Sequence, residues 1–200
     1  MASMLDMVGS AIIFGILILT VARVQENLNS TMYQNTFNTQ TQQLAINIAR
    51  QMEYDFTKVG YRVGTTNQKI FYADSTKIAF KGSLTYSGTV DSIIYELGEL
   101  DTTSQNPRDY RLLRTTNSGV ISQRIGAVDF RLSYFDTTNT LIPLPISTVA
   151  AFNAIRSVNV RVRFESLEPV QQAFQDSATY FGVNWEKLIY ARNLGGLNLR

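Results

Sequence analysis

The sequence predicts an α+β chain, with one very long N-terminal helix packed on an antiparallel β-sheet head. Three observations predict it. Met7–Ala22 (MVGSAIIFGILILTVA) is apolar and uncharged, and no proline occurs before Pro107. Leu44, Ala45, Ile48, Ala49, Met52, Phe56 and Val59 recur at helical spacing. Beyond Gly60 the apolar residues alternate with polar ones, as in half-buried strands.

Residues 1–24 form the first segment, expected to span a membrane or to form the core of a helical assembly. The apolar run is slightly shorter than the ~20 residues that cross a bilayer, and Met1–Leu5 extend it. A secretory signal peptide needs basic residues ahead of such a run, and the first here is Arg23, behind it. Asp6 heads the run. A carboxylate in hydrocarbon costs at least ~2.5–3.5 kcal/mol, so such a group is usually paired or functional. One partner is the α-amino group of a neighbouring subunit, which lies a few residues from Asp6 in sequence. A first-turn acid favouring the helix macrodipole is the plainer reading, worth ~0.3–1 kcal/mol. The apolar context favours pairing.

Residues 25–60 are expected to continue the helix. Gln25–Gln43 is rich in Gln, Asn, Ser and Thr, yet it lacks Gly and Pro, and Leu28 and Met32 keep an i,i+4 spacing. The amphipathic turns that follow place Gln43, Asn47, Arg50, Gln51, Asp55 and Lys58 largely away from the apolar face, and Gly60 is a plausible stop. Ser3–Val59 as one helix is on the order of 85 Å long, too long for the rest of the chain to bury.

Residues 61–200 are expected to form the β-rich head. Lys77–Phe80, Ser92–Leu97 and the segment from Tyr110 read as strands. Val128, Phe130, Leu132 and Tyr134 alternate with Asp129, Arg131 and Ser133. Val158, Val160, Val162 and Phe164 alternate with Asn159, Arg161, Arg163 and Glu165. Asn117–Gly119 and Asp136–Asn139 carry turn chemistry, Pro143 and Pro145 mark an irregular connection, and Lys187–Ala191 closes with a short strand.

Composition narrows the chemistry. The 200 residues include no Cys and no His, and formal net charge is +2. Thiolate chemistry is excluded, and the commonest general base and metal ligand are missing. No phosphate loop, nucleophile elbow or zinc ligand set appears, so no enzyme activity and no cofactor is expected. Asp101, Asn106 and Asp109 surround Pro107 in an oxygen-rich loop. Such loops can hold calcium, but the spacing matches no EF-hand, and solvated turn residues are the expected reading. Arg161 and Arg163 share a strand face that Arg111, Arg114 and Arg124 could extend into a basic patch. Scattered acids dilute it, and no nucleic-acid partner is expected. Trp185, near Tyr180, Phe181 and Tyr190, is expected to pack the C-terminal region.

SMLDMVGSAIIFGILILTVA resembles the start of type IV pilins and pseudopilins, in which an acid at the fifth position precedes a long apolar helix. Asp6 takes that position if Met1 is removed and Ala2 leads, with Asp standing where the family carries Glu. Ala45–Tyr61 (AINIARQMEYDFTKVGY) is similar to the end of the long helix in PilW-type minor pilins and J-type pseudopilins, with Arg50, Asp55, Gly60 and Tyr61 matching in character and order. Tyr110–Arg114, Ile125–Phe135, Ser157–Ser166 and Ala191–Leu194 resemble later segments of that group in the same order.

The resemblance implies a pilin-like structural subunit of a type IV pilus-like extracellular filament or of a secretion pseudopilus. The chain would reside in the inner membrane, then polymerise with copies of itself or other pilin-like subunits through an assembly machinery. The product would be an extracellular filament or a periplasmic pseudopilus. Met1, Ala2 and Asp6 would form the inter-subunit pairing, and Val8, Ile12, Ile13, Phe14, Ile16, Leu17 and Leu19 the helical core packing. The alternative is a monomeric membrane-anchored binding module with an extracytoplasmic head.

Overall fold

The computed structural model describes residues 2–64, 67–85, 88–170 and 178–195. It is α+β. Helix α1 (Ala2–Thr57) runs for 56 residues without a break, about 84 Å at ~1.5 Å per residue. The polar middle stays helical. The hydroxyls of Thr31, Thr36 and Thr39 donate to the carbonyls of Asn27, Met32 and Asn35, each one turn back at 2.8–2.9 Å, a contact that slightly weakens a helix rather than holding it. Helix α1 stops where expected. Gly60 adopts φ +74°, the left-handed conformation that glycine takes cheaply past a helix end. Its amide donates to the Lys81 carbonyl at 2.8 Å, which ties the helix end to the sheet.

The strands are β1 (Ile70–Ala73), β2 (Lys77–Gly82), β3 (Asp91–Leu100), β4 (Tyr110–Thr116), β5 (Gly119–Phe135), β6 (Leu141–Ile142), β7 (Ser157–Glu165) and β8 (Gly182–Tyr190). They form one eight-stranded sheet in the order β1-β2-β3-β4-β5-β7-β8, with β6 beside the far end of β5. Every pairing is antiparallel. Neighbours in sequence are almost always neighbours in the sheet.

Strand β5 is the spine. Its first half pairs with β4 and its second half with β7. The register shifts between Ala127 and Asp129, and this bulge changes one expectation. Val128 does not join the buried row, whereas Phe130, Leu132 and Tyr134 do. Gly126 just before it has φ +68°, and a Cβ there would lie 1.9 Å from the Glu165 carbonyl oxygen. Only glycine lets β5 and β7 approach so closely. In β7 the apolar half of the expected alternation holds, with Val158, Val160, Val162 and Phe164 all buried, but Glu165, expected on the outer face, is also buried, where Asn106 and Arg108 bond to it.

The last turns of α1 lie over the apolar face of this sheet, against β5, β7 and β8. Ala45, Ile48, Ala49, Met52, Phe56 and Val59 are buried as expected. The Phe56 ring meets Phe80 and Tyr95 at centroid distances of 5.4 and 5.6 Å. Two helix residues depart from the predicted faces. Leu44 is 40% exposed, because the sheet does not reach that side of the helix, and Asp55 is 1% exposed. Strands β1 and β6 and the short helix α2 (Val149–Ala154) carry too little pattern to read from sequence; Thr148 caps α2 by accepting from the Ala151 amide. Strand β8 begins five residues earlier than the expected final strand and ends one earlier.

Candidate assembly surface

The N-terminal part of α1 is apolar on all sides and packs against no other element among the described residues. Val8, Ile12, Ile13, Phe14, Ile16, Leu17 and Leu19 are each 57–65% exposed. Because ~3.6 residues complete a turn, such consecutive apolar residues leave no polar face. Among the described residues, this is the one helix long and apolar enough to cross a membrane, by length and composition. The hydroxyls in the run are turned inward on the helix itself: Ser10 donates to the Met7 carbonyl and Thr20 to the Ile16 carbonyl, at 3.0 and 2.8 Å.

Asp6 is exposed on this helix. It is the fifth helical residue counted from Ala2, beyond the first turn, which holds no acid. The dipole effect falls off within the first turn, so that plainer reading of Asp6 weakens. Among the described residues, none forms a hydrogen bond or ion pair with it. Met1, expected to take part in the pairing, lies outside the described residues, and of Ala2 only the helical backbone is described.

The exposed rod is fixed to the head by a buried polar lock that sequence reasoning missed. Asp55 Oδ2 accepts from the Tyr95 hydroxyl at 2.6 Å and from Arg114 Nε at 2.7 Å. Arg114 Nε also lies 3.2 Å from the Tyr95 oxygen. All three residues are at most 9% exposed. Burial, with the Asp55 charge beside it, pushes the Tyr95 hydroxyl well above its ordinary value, so it remains a donor. Burial works against the Arg114 charge, but Asp55 and Tyr95 more than offset it. A buried ion pair adds little net stability, yet removing one partner strands the other. The lock therefore selects one rotation and one height of α1 on the sheet. Its signal in the sequence was slight: an acid one residue before Phe56, next to the apolar row.

The head reaches along the rod only as far as residues 30–37. There Tyr33, Phe37, Pro169 and Val170 help to line a cavity of about 420 Å³. N-terminal to it, the helix has no cover among the described residues.

The remaining candidates resolve as follows. Three side chains of the 101–109 loop, expected to be solvated, are buried: Asp101, Asn106 and Asp109 are at most 2% exposed. The loop is docked on the segment after β7. Asn106 Nδ2 donates to Glu165 and to the Ser166 carbonyl at 3.2 Å, and Ser104 Oγ donates to the Leu167 carbonyl at 3.2 Å. Two hydrogen bonds from Thr103, then Arg111, hold the Asp101 carboxyl down to about 2. No group of three or more acids, His or Cys converges as a metal cage among the described residues. The basic patch does not form from Arg114, which points into the core, while Arg111 pairs with Asp101 at 3.3 Å. On the outer face Arg161 lies 3.6 Å from Asp129, and Arg163 lies 3.1 Å from Glu165. Nothing is described of the Arg124 side chain. Trp185 is half-buried against the core opposite Val162, in line with a packing role. No family model matches the chain, and no curated protein is significantly similar to it.

Proposed function

We propose that this protein is a pilin-like structural subunit, not an enzyme, that polymerises with itself or with similar chains into a type IV pilus-like filament or a secretion pseudopilus. The observation that carries the proposal is the continuous helix α1 (Ala2–Thr57), buried only in its last turns and apolar on all sides at its start. Lipid would cover Met4–Ala22, but it would not cover the polar turns after Arg23. A helix that is polar on all sides has little to stabilise it alone in water. Neighbouring copies of the same rod would cover both parts at once. This favours assembly over a monomeric anchored module, in which the polar turns ahead of Ser30 would stay bare.

On this reading the chain first sits in the inner membrane by Met4–Ala22 and is then drawn by an assembly machinery into an extracellular or periplasmic polymer. Asp6 neutralises the terminal amine of an adjacent copy and sets the axial register, while Val8, Ile12, Ile13, Phe14, Ile16, Leu17 and Leu19 pack the core. The resemblance of Ser3–Ala22 and Ala45–Tyr61 to pilins and pseudopilins supports the same reading. The test is electron microscopy of the native protein and of Asp6→Ala. Filaments are expected from the native chain and few or none from the variant, whose head should unfold at the native temperature. Normal filaments from Asp6→Ala would sink the pairing role. A strictly monomeric native protein would leave the anchored module as the function.

A further inference from the structure

The 101–109 loop holds an unbalanced charge. Asp109 is fully buried, and neither carboxylate oxygen accepts a hydrogen bond of ordinary geometry. Burial and the nearby Asp101 charge raise its pKa, although the Ser104 hydroxyl, the Gly126 amide and Arg111 favour its charged form. The two nearby arginines bond to other acids, although the buried Arg111 Nε has no hydrogen-bond partner and its charge favours ionised Asp109. Arg111 donates to Asp101 Oδ1 at 3.3 Å, and Arg108 to Glu165 at 2.8 Å. A buried carboxylate without a partner is expensive, so it takes up either a proton or a counterion.

The surroundings suit a counterion. A cavity of about 260 Å³ adjoins Asp109, and Asp101, Thr103, Ser104 and Glu168 help to line it. The polar side chains that line it carry carboxylate, hydroxyl and amide groups, with no His or Cys. Such a wall selects a hard cation over a transition metal. Calcium takes 6–8 oxygens in irregular geometry, and main-chain carbonyls, hydroxyls and water complete its shell where carboxylates are few. Magnesium demands a near-regular octahedron of closer ligands.

We propose that the 101–109 loop is a calcium site anchored on Asp109, with Asp101 adding negative charge to the same wall. Glu168 borders the cavity, but no group of three carboxylates converges on one point among the described residues, so the site is weak, with a dissociation constant on the order of 10⁻⁴–10⁻³ M, as in extracellular modules. Bound calcium would pin the loop to the Ser166–Glu168 segment and so close one end of the sheet. The proposal is independent of filament formation.

The experiment is thermal unfolding of the full chain in detergent, after treatment with a chelator, with calcium chloride or magnesium chloride added back. With calcium about tenfold above its dissociation constant, the melting temperature is expected to rise by about 3–5 °C. Magnesium should give little, Asp109→Asn should abolish the rise, and Asp136→Asn, in a distant turn, should keep it. Asp109→Asn mimics the protonated acid. A wild-type chain indifferent to calcium, with Asp109→Asn more stable than wild type, would show that a proton balances the charge and would overturn the site. An equal rise with magnesium, or in Asp109→Asn, would also overturn it.

Discussion

The two ends of helix α1 obey opposite rules. Around Met52 the helix is amphipathic, and its apolar stripe faces a sheet built by the same chain. Around Phe14 it is apolar on every side and faces nothing. The backbone hydrogen bonds continue through both, so secondary structure does not distinguish them. What differs is where burial comes from. One end is stabilised within the chain. The other is stabilised only by something outside it, which makes it the surface on which the environment acts.

Three changes break or sharpen this contrast, beginning with the largest effect. Asp55→Ala leaves Arg114 buried without its carboxylate. It should cost the head about 3–5 kcal/mol, read by denaturant unfolding followed through Trp185 fluorescence. A loss under ~1 kcal/mol would mean that the polar lock does not position the rod. Met52→Ala follows, expected to cost about 2–5 kcal/mol as a core truncation. Leu17→Ala, of similar size on the bare end, should change head unfolding by no more than about 0.5 kcal/mol. If the two cost the same, the helix ends are not independent and the contrast fails.

The smallest effect is a pH dependence confined to the head. Asp136 is held below its ordinary value by the Thr138 hydroxyl and the Thr140 amide, and Asp101 is held at about 2 by Thr103. A depressed carboxylate stabilises the fold above its unfolded value, ~3.9, and that contribution is lost as pH falls through the folded one. Head stability should therefore decline below about pH 4, while Asp109, shifted the other way, opposes the decline. A melting temperature that rises monotonically from pH 6 to pH 2, scanned in the usual laboratory range, would contradict the assignment of Asp101 and Asp136.

The elements legible in the sequence were those with a long, regular period. The stretch from Ala45 to Val59 and the alternation of β7 declare their buried faces, because one face of each is apolar throughout. Strands β1 and β6 are too short to show a period. Val128 follows the β5 alternation in sequence and leaves it in space, since a bulge inserts one unpaired residue. Among the site residues, the apolar set and Asp6 were readable because local composition alone marks them, and nothing among the described residues covers them. The Asp55–Tyr95–Arg114 lock was not, because its members lie on α1, β3 and β4.

The sequence by itself determined that this chain is one long rod joined to a sheet, and which residues of the rod are apolar. Those properties follow from local periodicity and composition. Only the tertiary structure decided that Asp55 turns inward, that Asp101, Asn106 and Asp109 are buried rather than solvated, and that Arg114 belongs to the core. A polar residue's burial depends on partners far away in sequence, and no local pattern encodes them.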